Sequence, residues 1–120
     1  MARSIKLVIP GIPPSLNEYV GREKSQDYRS DKSVWTANVA WRVKACKLPE
    51  PFRKADVTLE YFFPDNRRRD PDNYAGKMLL DGLTRGGAIV DDSFEHINLH
   101  LAKGGVDKER PRVEISVVEV

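Results

Sequence analysis

Two pairs of acidic residues in the second half of the chain have the spacing of a metal site. Asp70 and Asp72 are two positions apart, and in an extended segment their side chains point to the same side. Asp91 and Asp92 follow a glycine pair that should end a helix, so the chain can return them to the same region. Converging carboxylates repel each other unless a cation balances them. Hard oxygen donors of this kind select Mg²⁺, with Mn²⁺ as a possible substitute.

Each acidic pair also has an ordinary structural explanation. Asp70 before Pro71 is typical of a helix cap, with Asp72 as a favourable acid in the first turn. Asp91 or Asp92 can equally accept hydrogen bonds in a polar turn. The metal interpretation therefore depends on whether the two pairs lie close together in the folded chain.

Basic residues flank the first acidic pair. Arg67, Arg68 and Arg69 lie directly before it, where guanidinium groups can bind phosphate oxygens. Lys77 follows about one helical turn later, within reach of a phosphate or of charge on a leaving oxygen. The alternatives are that the arginines only neutralise neighbouring aspartates and that Lys77 pairs with Asp81. Together with a metal, these cations favour phosphodiester hydrolysis.

Hydrophobic periodicity predicts the elements that position these residues. Alternation indicates strands over about residues 4 to 9, 57 to 63, 97 to 101 and 113 to 117. The last two are expected to be antiparallel, with a turn at Gly104 and Gly105. Helices are predicted from a cap at Ser33 to before Pro49, and over about residues 71 to 85, with a long loop from Pro10 to about residue 30. This order predicts an α+β fold with residues 1–120 as a single domain, in which two main helices pack on a mixed, mostly antiparallel sheet of about four strands.

Composition narrows the class of protein. The net charge of the 120 residues is +2, so DNA binding depends on where the charge lies rather than on its total. The single Cys46 excludes an internal disulfide and is expected to be a buried thiol. Trp35 and Trp41 are expected to pack on a helix face, and His96 and His100 to lie on the exposed sheet face. No apolar run approaches the roughly 20 residues of a membrane span, so we expect a cytoplasmic protein without a membrane partner.

The charged residues also follow one another in a recognisable order. An R-D-x-D-N motif, a lysine, a D-x-L motif and a late D-D pair correspond here to Arg69-Asp70-Pro71-Asp72-Asn73, Lys77, Asp81-Gly82-Leu83 and Asp91-Asp92-Ser93. The stretch IPGIPPSLN at residues 9–17 precedes them. These motifs, and the strand and helix order from end to end, resemble the RusA family of Holliday junction resolvases.

The resemblance implies a homodimeric, Mg²⁺-dependent nuclease that resolves four-way DNA junctions by paired, symmetric cuts and leaves ligatable nicks. Asp70, Asp72 and Asp92 match the metal-binding and catalytic acids of the family. Lys77 matches its catalytic lysine, and Asp91 an acid that supports the same cluster. No organic cofactor is implied.

Contacts to branched DNA are expected from the three arginines and from two asparagines, Asn17 and Asn73. One feature departs from the family pattern. Three residues separate Asn73 from Lys77, where the pattern most often has two. An extra residue rotates a regular helix by about 100°, so either the helix starts differently or Lys77 is displaced.

Two other functions are compatible with the same residues. The chain could bind a DNA structure without cutting it, the arginines gripping phosphate while the acids only shape the loops. It could also be a nuclease for flaps, forks or plain duplex. Two symmetric cuts need two active sites, which independently favours a dimer.

Overall fold

Four strands form one mixed sheet. The computed structural model describes residues 3–19 and 25–120. The strands are β1 (Ser4–Pro10), β2 (Ala55–Phe63), β3 (Ile97–Val106) and β4 (Arg112–Glu119), in the spatial order β1-β4-β2-β3. β4 runs antiparallel to both β1 and β2, whereas β3 runs parallel to β2. The predicted α+β class, with its mostly antiparallel sheet, is confirmed.

Two helices cover one face of this sheet. They are α1 (Ser25–Ala45) and α2 (Lys77–Gly86). Alternate residues of β2 are buried from Ala55 to Phe63, in one core with Val39 of α1 and Leu79 of α2. The other face of β2 carries partly exposed side chains, as expected for a sheet with one solvated face.

Close packing between the helices depends on a small residue in α2. A Cβ atom on Gly82 would lie 2.5 Å from the Cβ of Val39. Buried Val39 and Val43 are four residues apart and so lie on one side of α1. The two helices therefore hold each other, and with them the start of α2, in a fixed position.

The predicted start of α1 was wrong. The helix begins at Ser25, so Ser33 lies inside it and does not cap it. Residues 25–32 contain neither glycine nor proline to interrupt a helix. Of the predicted loop after Pro10, residues 11–15 are irregular and 16–19 form a short 3-10 helix, while 20–24 lie outside the described residues.

The predicted pairing of the last two strands was also wrong. β2 lies between β3 and β4, so these strands are not neighbours. Gly104 and Gly105 belong to β3 rather than to a turn, and the β2–β3 register shifts between Tyr61 and Phe62. A Cβ on Gly104 would lie 2.5 Å from the ring of Phe62, which explains glycine there.

Several single-residue predictions can be compared with the structure. Cys46 is exposed, just after the end of α1, so the prediction of a buried thiol was wrong. Trp35 packs against the core as predicted, but Trp41 is 69% exposed and does not. His100 is exposed as predicted, and the partly exposed ring of His96 lies 2.8 Å from the carbonyl oxygen of Arg53. In the described ranges, no helix is long and apolar enough to cross a membrane.

Candidate active site

The predicted helix over residues 71 to 85 is divided into two helices. Pro71–Tyr74 form a 3-10 helix, and α2 begins only at Lys77. Between them, Gly76 has a left-handed backbone (φ 83°) that breaks the helical path. Residues 71 to 85 therefore do not form one regular helix, and Lys77 occupies the first position of α2.

Lys77 lies between two carboxylates. Its Nζ is 3.2 Å from Oδ1 of Asp81, one turn along α2, and 3.5 Å from Oδ2 of Asp92. The pairing with Asp81 is the structural alternative to a functional role for Lys77, and the structure has both contacts at once. Asp81 also forms an ion pair with Lys32 of α1 at 3.0 Å. Spacing along the sequence could not predict this contact, because the two residues lie on different helices.

These contacts keep Lys77 charged. The carboxylate of Asp81, and to a smaller extent that of Asp92, raises the pKa of the Lys77 ammonium above its ordinary value. The side chain is 52% exposed, so the ammonium remains open to a ligand. It can serve as a fixed positive charge but not as a base near neutral pH.

The end of α2 brings the second acidic pair back toward its start. Gly87 terminates the helix in a left-handed conformation (φ 90°), and buried Ile89 forms a bridge with Phe52. The chain then turns, so that Asp92 reaches Lys77 with 24% of its side chain exposed. Asp91 is exposed and makes no ion pair within the described part of the chain.

The first acidic pair lies at the 3-10 helix. Asp70 occupies the position before its first residue, but its side chain makes no capping hydrogen bond. Instead Asp70 accepts a hydrogen bond from Nε of Arg68 at 3.1 Å, and its side chain is 49% exposed. Asp72 is also exposed. Helix capping by its side chain therefore does not explain Asp70.

The acidic residues have the donor atoms that a divalent cation prefers, but in the described part of the chain their side chains are not gathered around one point. Carboxylate oxygens are suitable donors, and Asp70, Asp72 and Asp91 are open to solvent. In residues 3–19 and 25–120, however, no three acidic, histidine or cysteine side chains are gathered around one point. The contact between Lys77 and Asp92 joins the segment after α2 to the start of α2, which lies shortly after the first acidic pair in the chain.

The three arginines divide into two kinds. The side chains of Arg67 and Arg68 are 75% and 88% exposed, so they can reach a ligand. That of Arg69 is only 14% exposed, and its guanidinium lies 4.4 Å from the centre of the Phe63 ring. It also pairs with the carboxylate of Asp65 at 2.9 Å. Arg69 is thus part of the loop structure.

The predicted asparagines lie on neighbouring segments. Exposed Asn17 is in the 3-10 helix Leu16–Tyr19, where its side-chain oxygen contacts the hydroxyl of Ser15. Leu16 lines the same small cavity as Asn73 and Lys77. The N-terminal segment therefore packs beside the start of α2, although nothing in its sequence alone fixed that position.

An aromatic cluster beside Asp70 was not foreseen. Tyr61 and Phe63 have parallel rings 5.7 Å apart, and Tyr74 packs edge-on against both. Tyr61 and Phe63 are two apart in β2, so alternation predicts that they share a face. It does not predict that Tyr74 joins them, because that contact depends on the 3-10 helix.

Proteins of known name that are similar to this chain agree with one another. The protein named crossover junction endodeoxyribonuclease rusA of Enterobacteria phage HK97 is 40% identical over 119 residues, which cover 96% of this chain and 94% of that protein. The protein of that name from Escherichia coli K12 is 29% identical over 114 residues, covering 90% of this chain and 89% of its own length. The protein of Enterobacteria phage 82 has the same identity and coverage.

No model of a known protein family matches the chain. The assignment rests on the relatives, whose similarity extends over nearly the whole length of both chains. With 40% identity over that length, the chain belongs to the RusA family of crossover junction endodeoxyribonucleases, a family of nucleases.

Proposed function

We propose that this protein is a Mg²⁺-dependent endonuclease that resolves four-way DNA junctions by paired, symmetric cuts, with Mn²⁺ as a possible substitute. The observation that carries the proposal is the 3.5 Å contact between Lys77 and Asp92, because it brings the late acidic pair to the lysine of the motif at the start of α2. The names of the relatives support a crossover junction as the substrate.

The proposed metal ligands are Asp70, Asp72 and Asp92, with Asp91 in support. When bound, the ion would polarise the phosphoryl group and lower the pKa of a water molecule. Asp70 and Asp72 are exposed, so their side chains can turn toward a cation without the loss of buried packing.

The remaining residues hold the DNA and balance charge. A ligatable nick has a 3′ hydroxyl and a 5′ phosphate, so water oxygen bonds to phosphorus, the P–O3′ bond breaks, and the departing O3′ takes up a proton. Lys77 remains an ammonium, because Asp81 raises its pKa, and would offset the negative charge that develops on oxygen. Exposed Arg67 and Arg68 would grip phosphates on the same strand.

Two symmetric cuts need two such sites, and a chain of 13.6 kDa carries one. We therefore propose a homodimer with a two-fold axis, which would match the symmetry of the junction. We also propose a cytoplasmic location, where its DNA substrate would be found.

The test is cleavage of a synthetic four-way junction, labelled on each strand in turn, in Mg²⁺. Asp72→Asn is expected to slow cutting by about 100-fold or more, because it removes a carboxylate from the metal site. Asp56→Asn is the matched control, since Asp56 contacts Asn98 at 2.9 Å on exposed strand residues and belongs to no motif.

Competition with flaps, forks and plain duplex tests the substrate. The junction is expected to be cut in preference to each of these. Symmetric nicking that survives Asp72→Asn would overturn the mechanism. Binding of the junction without cleavage, in either Mg²⁺ or Mn²⁺, would overturn the assignment as a nuclease for this DNA.

A further inference from the structure

A cavity of about 100 Å³ lies beside the first acidic pair. The lining residues come from the carboxyl end of β2, the arginine segment, the 3-10 helix and the edge strand β3: Tyr61, Phe63, Arg67, Arg69, Asp70, Pro71, Tyr74, Leu101, Ala102 and Lys103. β2 and β3 are parallel, so their carboxyl ends lie at the same edge of the sheet. The cavity therefore lies at that edge, next to Asp70.

The inner wall of the cavity is aromatic and fixed in place. The rings of Tyr61, Phe63 and Tyr74 contact one another with centres 5.3 to 5.7 Å apart. The hydroxyl of Tyr61 donates to the carbonyl oxygen of Tyr74 at 2.6 Å. The guanidinium carbon of Arg69 lies over the ring of Phe63, 4.4 Å from its centre. The wall is therefore formed before a ligand binds, and binding would need little ordering of these side chains.

The outer side is cationic. Arg67 is 75% exposed, and exposed Lys103 is held by a contact between its Nζ and Oδ1 of Asn66 at 2.6 Å. An apolar interior with cations at the rim fits a group that has a flat face and is linked through a sugar to phosphate. DNA bases meet both conditions, because they stack on aromatic side chains while their backbone follows positive charge.

We infer that this cavity receives one nucleobase, unstacked from the DNA next to the phosphate that is cut. This inference rests on the proposed function, because a branch point supplies bases that have lost stacking partners. A water molecule needs roughly 10 to 15 Å³ of such space, so a cavity of about 100 Å³ accepts a group the size of one base but not a base pair. Asp70 at the rim disfavours a free anion as the occupant.

The first experiment removes bases one at a time. Single abasic sites are placed at each nucleotide around the branch, and junction affinity is measured with the Asp72→Asn chain, so that cutting does not interfere. An abasic site at one position adjacent to the cleaved phosphate is expected to weaken binding by about 10-fold or more. Equal affinity at every position would overturn the inference.

The second experiment fills the cavity. Leu101→Trp places a large side chain in the wall, whereas Leu99→Trp is a matched control on the same strand face. The two leucines are 36% and 37% exposed, and Leu99 does not line the cavity. Leu101→Trp is expected to weaken binding of the intact junction about 10-fold and to abolish the effect of the sensitive abasic site, whereas Leu99→Trp retains both.

The outcomes separate this inference from the proposed function. If the native chain cuts junctions but Leu101→Trp binds them as tightly as Leu99→Trp, the cavity does not receive a base. If the native chain shows no preference for junctions, the proposed function fails first. The abasic series needs no change in the cavity, so it decides the question even if Leu101→Trp does not fold.

Discussion

At the scale of single residues, Lys77 and Asp81 show what spacing along the chain can and cannot predict. The interval of four residues predicted that they can pair on a helix, and they do, at 3.2 Å. The contacts from Asp92 and Lys32 come from other segments, so no local pattern contained them. Spacing therefore predicted one ion pair of Lys77 but not the wider ion-pair chain around it.

Lys77→Gln tests which of the two lysines on Asp81 serves the reaction. Of these two, Lys77 is the one with a contact to Asp92 in the described ranges, so its loss is expected to slow junction cleavage by about 100-fold with little change in junction affinity. Lys32→Gln removes the other cation from the same carboxylate and is expected to cost less than about fivefold. Single-turnover rates measure both, and equal losses would contradict the assigned role.

Arg68 and Arg69 are neighbours with different expected effects. Arg68→Ala should weaken DNA binding and lower the slope of log affinity against log salt by about one, because an exposed phosphate contact is lost. Arg69→Ala should instead lower the free energy of unfolding by roughly 1 kcal/mol, since it removes the stack on Phe63. Salt titrations of DNA binding and thermal melts of both variants measure these two effects. A larger salt effect from Arg69→Ala would contradict this division.

At the scale of elements, Gly76 sets the direction in which α2 starts. Its φ is 83°, and an added Cβ would clash with the Leu59 side chain. Gly76→Ala is expected to destabilise the fold by about 2 to 3 kcal/mol and to slow cleavage, because Lys77 follows it directly. Gly87 has a φ of 90°, and beyond its chain neighbours no atom of residues 3–19 or 25–120 lies within 4 Å of an added Cβ, so Gly87→Ala measures the backbone cost alone. Equal destabilisation would mean that the contact with Leu59 is unimportant.

The stability that the pairing of β1 with β4 provides should depend on pH, because Glu114 of β4 forms an ion pair with Lys6 of β1. Arg112 at 2.7 Å and Lys6 at 3.0 Å lower the pKa of this carboxyl below its ordinary value. A carboxyl with a lowered pKa adds stability above its unfolded-state pKa of about 4.3, and this is lost as pH falls through the folded-state value.

Glu114→Gln is therefore expected to melt a few degrees below the native chain at pH 7, and the gap should narrow as the pH falls below the unfolded-state pKa of the carboxyl. Circular dichroism melts at a series of pH values measure this. Glu109→Gln is the control, because Glu109 is exposed and makes no ion pair in the described part of the chain. A gap that stays constant with pH would contradict the assignment.

The sequence predicted where the four strands lie along the chain, but not their order in the sheet. Alternating apolar residues identified all four strands, because alternation determines which side of a strand is buried. The same pattern is satisfied by several neighbours, so it did not determine that β2 separates β3 from β4. The break at Gly76 was missed for a related reason, since apolar spacing continues across it and only the backbone conformation interrupts the helix.

At the scale of the whole molecule, the site is assembled from segments that the fold brings together. The helix pair positions the start of α2, the chain after Gly87 returns Asp92 to it, and β3 closes the proposed base cavity beside Asp70. Each chain carries one such candidate site, so the proposed paired cutting would need two chains on one junction.

The most direct test of the junction-resolving function uses a supercoiled plasmid that extrudes a cruciform, incubated with the native chain in Mg²⁺ or in EDTA. Two cuts within one binding event convert the plasmid to a linear form with ligatable nicks at its hairpin ends. We predict linear product in Mg²⁺, none in EDTA and none from Asp72→Asn. Nicked circles alone, or linear product that persists with Asp72→Asn, would contradict the account.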